Sequence, residues 1–261
     1  MANEYAVNQA DLTAIADAIR SKGGTSGALE FPGGFVDAVG AIKGNSEPYT
    51  VDSSGEPSMP EFTVERADVK TIAGLNGSNV VKIDCPNATK IRQLENCAKL
   101  TYVNFENVTQ ISDWQITNVA IKEAIVPKIT TLGYRTFNAC GALTYVRMDM
   151  CADTGWMWSL CQCGALKTAV FPSLIRITQA FLYECKSLNA LVLGSASVCE
   201  LTDVGSALKS TPLRGISGVY SGHVYVPSAL IPEYQTATNW ATLYANYPEI
   251  FQPIEGSEYE E

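Results

Sequence analysis

The chain has 261 residues, of which 46% are apolar and 17% are charged, so it is long and apolar enough to bury a large core. Its formal net charge is −9 and it has no basic cluster, which argues against nucleic acid or an anionic membrane as the partner and favours a protein or a glycan. No apolar run approaches the roughly 18–20 residues that span a bilayer.

The amino-terminal segment differs from the rest of the chain. Apolar residues at helical spacing predict one helix from Asn8 to Lys22 and a second from Pro32 to Gly44. This hairpin has too few large side chains for a core of its own, so we expect residues 1–44 to attach to a partner chain or to copies of themselves. Residues 45–61 have the composition of an exposed linker, and residues 62–254 are expected to form a second domain.

A short motif recurs through the second domain. It reads Cys-x-x-Leu, then an apolar residue three positions on and another two positions later. Its anchors at 97, 118, 140, 163 and 185 advance by 21, 22, 23 and 22 residues, and the copy at 118 has an amide in place of the thiol. A fixed period of this length predicts a solenoid of leucine-rich repeats.

The repeat positions form three apolar columns that should line a continuous core. The last two columns are two residues apart, so each repeat should supply one short strand, and stacked repeats should form a parallel sheet. The columns are Val80, Leu100, Ile121, Leu143, Leu166 and Leu188; Ile83, Val103, Ala124, Val146, Ala169 and Leu191; and Cys85, Phe105, Val126, Met148, Phe171 and Leu193. A second apolar set is expected on the return segments, namely Ile91, Leu94, Ile111, Trp114, Leu132, Phe137, Trp156, Leu160, Ile177 and Phe181.

Outward strand positions supply the candidate site. The first half of this surface is polar and aromatic, which suits recognition of a glycan or a protein. Its candidate binding residues are Tyr102, Asn104, Glu123, Tyr145, Arg147 and Thr168. The second half is apolar where solvent would be expected, so we predict that a neighbouring subunit or the carboxy-terminal segment covers it. Its candidate oligomer-interface residues are Ile125, Val170, Val192 and Tyr225.

Catalytic and metal sites are not indicated. The single histidine, His223, is interpreted as an exposed strand residue, and Asp149, Asp153, Glu200 and Asp203 are scattered through turns with no fixed pairing. The eight cysteines are interpreted as structural thiols, because four of them occupy one repeat position where a small buried side chain is wanted. We therefore expect no enzyme activity, no metal and no cofactor.

The carboxy-terminal segment should close the solenoid. A helix is predicted from Ala229 to Asn246, with Leu230, Tyr234, Trp240 and Leu243 covering the last repeat. Residues 255–261 form an acidic tail that we expect to be disordered.

Two resemblances follow from these motifs. Residues 80–230, with Ile-x-x-x-Phe-x-x-x-Cys-x-x-Leu in the copy from Ile177 to Leu188, resemble the leucine-rich repeats of BspA-type surface proteins. The amino-terminal stretch from Ala10 to Ile42 resembles the leader of phage tail, baseplate and fibre proteins. That resemblance implies a virion protein that is assembled in the host cytoplasm, is released by lysis and forms a homo-oligomer, with a trimer as the expected state.

Three functions remain open from the sequence. The first is a virion protein that presents the repeats for binding to the host surface. The second is a virion component whose repeats are only structural. The third is a BspA-like adhesin on the bacterial surface, although the amino terminus lacks the basic-then-apolar layout of an export signal.

Overall fold

A computed structural model describes residues 61–155 and 157–260, with Asp17 alone before them. The helical hairpin expected in residues 1–44 and the linker as far as residue 60 therefore lie outside the described residues, as does Trp156. The chain divides into two units between Pro60 and Glu61, and the second unit is described by itself.

Short strands dominate this unit, and the few helices lie near its carboxy-terminal end. The strands are β1 (Phe62–Glu65), β2 (Thr71–Ile72), β3 (Val80–Asp84), β4 (Lys90–Ile91), β5 (Tyr102–Val103), β6 (Gln110–Ile111), β7 (Glu123–Ile125), β8 (Tyr145–Arg147), β9 (Thr168–Phe171), β10 (Arg176–Ile177), β11 (Ala190–Leu193), β12 (Glu200–Leu201), β13 (His223–Val226) and β14 (Phe251–Pro253). The α-helices are α1 (Ile231–Thr236) and α2 (Trp240–Asn246), and 3-10 turns occupy Pro212–Arg214 and Ser228–Leu230.

The strands stack in parallel, one from each turn of the chain. The order is β1-β3-β5 in one sheet and β14-β13-β11-β9-β8-β7 in another, and the return segments form the small sheets β2-β4-β6 and β10-β12. Equivalent repeat positions pair across the ladder, so Ala124 faces Val146, which in turn faces Ala169. The predicted leucine-rich-repeat solenoid with its parallel strand ladder is confirmed.

The three predicted columns are buried. Every member of the first column is fully buried, and Val103, at 6% exposed, is the most exposed member of the other two. Each turn is too small to enclose its own apolar side and buries it against the turns before and after. This is why one contiguous core runs through the whole array.

One prediction for the return segments is wrong. Trp114, expected on the inward face, is 43% exposed, and the neighbouring Ile116 is fully buried in its place. The Ile116 amide donates to the Leu94 carbonyl at 2.9 Å, which sets Ile116 in line with the buried return position of the preceding turn. Ile91, Leu94, Ile111, Leu132, Phe137, Leu160, Ile177 and Phe181 are buried as predicted.

The repeated cysteines do more than fill space. The thiols of Cys97, Cys140, Cys163 and Cys185 each donate to a backbone carbonyl of the preceding turn, on Leu75, Ile116, Phe137 and Leu160, at 2.9–3.0 Å. All eight cysteines are free and buried. Burial raises the pKa of the Cys151 and Cys161 thiols to about 12 and raises those of Cys163 and Cys185 too. These thiols therefore stay protonated at neutral pH and can act as donors.

The carboxy-terminal end differs from the prediction in two ways. The single expected helix is divided into the 3-10 turn, α1 and α2, although Tyr234, Trp240 and Leu243 are buried as expected. The expected disordered tail instead continues from β14, which pairs with β13, into hydrogen-bonded turns. The Glu255 carboxylate accepts from the Ser228 amide at 2.9 Å, which fastens the start of the tail to the solenoid.

Candidate functional site

The first half of the strand face is polar and internally paired. Lys82 lies 2.7 Å from the Glu65 carboxylate and 3.5 Å from that of Asp84, and its ammonium sits 5.6 Å from the centre of the Tyr102 ring. Asn104 donates to Asp84 at 2.9 Å. Side chains from three successive turns are thereby held in place, with Tyr102 left 46% exposed at their edge.

The strand ladder opens between β5 and β7. Among the described residues, no backbone hydrogen bond joins these two strands, although the turns remain bonded on the return side through the Asn96 amide and the Thr117 carbonyl at 2.9 Å. β5 ends at Val103, and the Asn104 side chain that follows accepts from the Glu106 amide at 3.0 Å. The opening coincides with the copy of the repeat at Asn118, which has an amide where its neighbours have a cysteine.

A cavity of about 570 Å³ occupies this opening, and we call it the strand-face cleft. Its walls combine an aromatic ring, an exposed aliphatic side chain and both signs of charge. The side chains that give the cleft this character are Tyr102, Asn104, Lys122, Glu123 and Ile125. Four of them were predicted from the sequence, three as binding residues and Ile125 as an interface residue. Ile125 is 49% exposed in the cleft wall, and Glu123 has no hydrogen-bond or ionic partner among the described side chains.

The second half of the strand face is covered by the chain itself. Val170 and Val192 are only 5% and 3% exposed, and they line a cavity of about 320 Å³ together with Ile254 and Tyr259 of the carboxy-terminal segment. The Tyr259 ring lies 4.6 Å from that of Tyr225. The sequence left two possible covers for this apolar strip, a neighbouring subunit or the carboxy-terminal segment. In the structure the carboxy-terminal segment covers it, so these two valines are not exposed for contact with another subunit.

The remaining candidate residues lie beyond the cleft. Tyr145 and Arg147 are half-buried on β8, and Arg147 donates to the Asp149 carboxylate at 2.6 Å. Thr168 lies close to Tyr259, which places it beside the carboxy-terminal segment. The predicted binding row is therefore divided, with its first part at the cleft and Thr168 at the covered end.

His223 is half-buried rather than exposed. Its Nε2 atom lies 3.2 Å from the Tyr247 hydroxyl, and its ring lies 6.1 Å from that of Tyr225. No nucleophile or carboxylate contacts it among the described residues, so it serves to pack the strand face against the helical end.

Three of the four scattered carboxylates, those of Asp149, Asp153 and Asp203, have local structural partners. Asp153 binds Arg176, and Asp203 accepts from the Ser206 hydroxyl at 2.6 Å and from the Gly205 amide at 2.7 Å. The hydrogen bond from Ser206 is the main reason that the pKa of Asp203 is lowered. Within the described ranges, no group of three or more His, Cys, Asp or Glu side chains is arranged to hold a metal ion. None of the helices described there is long and apolar enough to cross a bilayer.

Comparison with known families decides the repeat type. A family model described as the BspA type leucine rich repeat region matches residues 87–204 in 6 copies. Residues 87–204 are BspA-type leucine-rich repeats. No curated protein and no solved structure matches the chain in these comparisons. The strand-face cleft lies within the BspA-type repeats, and solenoids of this class typically serve as binding or scaffold domains.

One set of surface residues in the BspA-type repeats was missed by the sequence prediction. Trp114, Arg135 and Trp158 occupy successive turns at positive φ angles of 61°, 55° and 65°, and their side chains stack. The signal was present as aromatic and basic residues at one repeat position. It was hidden because the apolar spacing of the return segments assigns Trp114 to the core.

Proposed function

We propose that the BspA-type solenoid is a non-catalytic binding domain that takes a protein or glycan of a cell surface in the strand-face cleft. The observation that carries this proposal is the opening of the ladder between β5 and β7, lined by Tyr102, Glu123 and Ile125. A concave site that combines apolar walls with a few polar groups is the usual form of a ligand pocket.

The cleft offers three kinds of contact. Tyr102 supplies an exposed ring for apolar packing, and Ile125 supplies the facing aliphatic wall. Glu123 can accept hydrogen bonds from hydroxyl or amide donors, and Lys122 can donate them. Because the ladder is interrupted here, backbone groups at the facing edges of β5 and β7 are open to a ligand as well.

Replacing Ile125 with serine should weaken binding to cells by at least about tenfold, the equivalent of one well-packed aliphatic contact. The fluorescently labelled full chain would be titrated onto a panel of bacterial cells and isolated cell walls. Ile175→Ser is the matched control, because Ile175 is exposed to a similar degree, 53% against 49%, and lies outside the cleft. Equal binding by the two variants would contradict a role for the cleft.

Tyr102→Ala and Glu123→Gln extend the same test. Both side chains are exposed, so these variants should keep the unfolding midpoint of the parent chain while losing binding. If the parent chain binds no cell or wall preparation, the alternative of a purely structural solenoid is favoured.

The finer proposal concerns where the protein acts. Residues 1–44 attach the chain to a virion as a homo-oligomer, and the solenoid faces the host. The support is the resemblance of the leader to those of phage tail proteins, and these residues lie outside the described part of the chain. BspA-type repeats also occur in bacterial surface proteins, so an adhesin on the cell surface is the competing location.

Immunogold labelling of induced and uninduced cultures separates the two locations. We expect an antibody against the solenoid to label particles released by lysis. Label on the envelope of intact, uninduced cells would contradict the virion location and support the adhesin. The mass of the purified full chain in solution would test the trimer.

A further inference from the structure

A row of aromatic and basic side chains runs along the return segments, on a different part of each turn from the strand-face cleft. We call it the aromatic-basic row, and its members are Trp114, Arg135, Trp158, Tyr183 and Lys209. The Arg135 guanidinium lies 4.3 Å from the Trp114 ring centre and 5.4 Å from that of Trp158. The rings of Trp158 and Tyr183 are 5.4 Å apart, and the Lys209 ammonium lies 5.6 Å from Tyr183.

The solenoid repeat holds this row in place. The Trp114 amide donates to the Tyr134 carbonyl at 2.7 Å, and the Arg135 amide donates to the Met157 carbonyl at 3.2 Å. Successive turns are thus fixed at the spacing of a parallel ladder, and four such steps of about 4.8 Å give the row a length of about 19 Å. Trp114 and Lys209, at its two ends, are exposed.

Arg135 has no acidic partner among the described residues. Its Nε atom is buried without a hydrogen-bond partner, because the flanking indole rings exclude water there. One acidic side chain, that of Glu184, lies beside the row, and its charge is the main reason that the pKa of Tyr183 is raised. The guanidinium of Arg135 therefore makes cation–π contacts with the neighbouring rings and no ion pair with a described carboxylate.

The row ends in a basic pocket. A cavity of about 540 Å³ is lined by Lys186, Lys209 and Arg214 and by no acidic side chain. Arg214 donates to the Gly205 carbonyl at 2.9 Å and interacts with the charge of nearby Asp203. Lys186 and Lys209 form no ion pair with the residues described, in a chain of net charge −9.

Lys209 belongs to both the aromatic-basic row and the basic pocket, so a single ligand could contact the two together. Aromatic surface packs against the C–H faces of sugar rings, and unpaired ammonium and guanidinium groups bind carboxylates or phosphates. A single strand of nucleic acid would meet these groups too, but it brings one phosphate with every nucleotide, whereas the row carries basic side chains only at Arg135 and Lys209.

We propose that the aromatic-basic row and the adjoining pocket form a second binding site, which takes an anionic polysaccharide. A carboxylate or phosphate of the saccharide lies between Lys186 and Lys209 in the pocket, and neighbouring sugar units follow the row toward Trp114. This site differs from the strand-face cleft in every lining residue, so either can be lost without the other.

Calorimetric titration of the full chain would test this proposal with four probes: oligogalacturonate, a phosphorylated maltodextrin, a neutral maltodextrin of equal length and single-stranded DNA. We expect one of the first two to bind, which identifies the anionic group as carboxylate or phosphate, and the neutral maltodextrin to bind at least tenfold more weakly. Tighter binding of DNA than of either anionic saccharide would overturn the proposal, as would equal binding of the neutral maltodextrin.

Two sets of variants separate this site from general charge attraction. K186Q/K209Q should weaken binding of the anionic saccharide at least tenfold, whereas K70Q/K90Q, which removes the same charge from exposed lysines of the first turns, should leave it unchanged. Trp114→Ala should weaken binding of the saccharide but not that of inorganic phosphate. Equal losses in the two lysine pairs would overturn the proposal.

The strand-face variant Ile125→Ser should bind the saccharide as the parent chain does, which keeps the two sites distinguishable.

Discussion

Replacing Trp240 with alanine should lower the free energy of unfolding by about 3–5 kcal/mol, the usual cost of removing a buried tryptophan side chain. Trp240 is fully buried at the carboxy-terminal end, with its ring 5.5 Å from that of Tyr234 and 5.9 Å from that of Phe251. Its indole nitrogen donates to the Cys199 carbonyl at 2.6 Å, while the Cys199 amide donates to the Tyr234 hydroxyl at 2.9 Å. Urea unfolding followed by circular dichroism would measure the loss.

Two further variants divide this effect into its causes. Trp240→Phe keeps much of the ring but removes the donor to Cys199, so the buried carbonyl loses its partner and we expect a loss of about 1–3 kcal/mol. Trp114→Ala removes the same side chain from an exposed position and should cost only about 1 kcal/mol, the size of its contact with Arg135. If the Trp240→Ala protein were as stable as the Trp114→Ala protein, this would contradict the prediction that the carboxy-terminal segment stabilises the solenoid by covering its last repeat.

Replacing Gly155 with alanine should also destabilise the solenoid strongly. Gly155 has a φ of +72°, and an added Cβ atom would overlap the backbone carbonyl oxygen of Leu132 on the preceding turn. The left-handed conformation and the overpacking each cost about 1–3 kcal/mol, so we expect a combined loss of about 2–6 kcal/mol. Backbone cannot move aside cheaply here, because the Leu132 amide is itself bonded to the next turn through Asp153 at 3.4 Å.

Gly141→Ala is the matched control for this substitution. A Cβ atom added at Gly141 would meet no atom within 4 Å, and the residue has no positive φ, so the change should alter the unfolding free energy by less than about 0.5 kcal/mol. Thermal melts of the two variants and the parent chain would measure the difference. Similar melting temperatures for Gly155→Ala and the parent would mean that adjacent turns are not stacked as closely as the structure has them.

Much of the core could be predicted from spacing alone. The columns that begin at Val80, Ile83 and Cys85 were predicted correctly, because a strand has a period of two and a solenoid repeats its inward positions at a fixed interval. The return segments follow no such simple period. Left-handed residues such as Phe137 and Ala139 alternate there, which hides the direction of each side chain from a sequence pattern.

The candidate site was predicted only in part. Tyr102, Glu123 and Ile125 were recognised as outward positions, but the cleft between them depends on a missing strand pairing that no single residue encodes. The apolar strip at Val170 and Val192 was recognised as needing a cover. The sequence could not choose that cover, because the acidic composition of residues 255–261 indicates disorder, whereas β14 and the contact between Tyr225 and Tyr259 hold the segment on the sheet.

The sequence by itself determined the repeat, its inward columns and its strand positions, because these depend on local spacing that every turn shares. Only the tertiary structure decided where the ladder opens, what covers its second half and which side chains stack into the aromatic-basic row. Those features depend on contacts between residues some twenty or more positions apart, such as the Arg135 guanidinium over the Trp114 ring, which a local pattern does not specify.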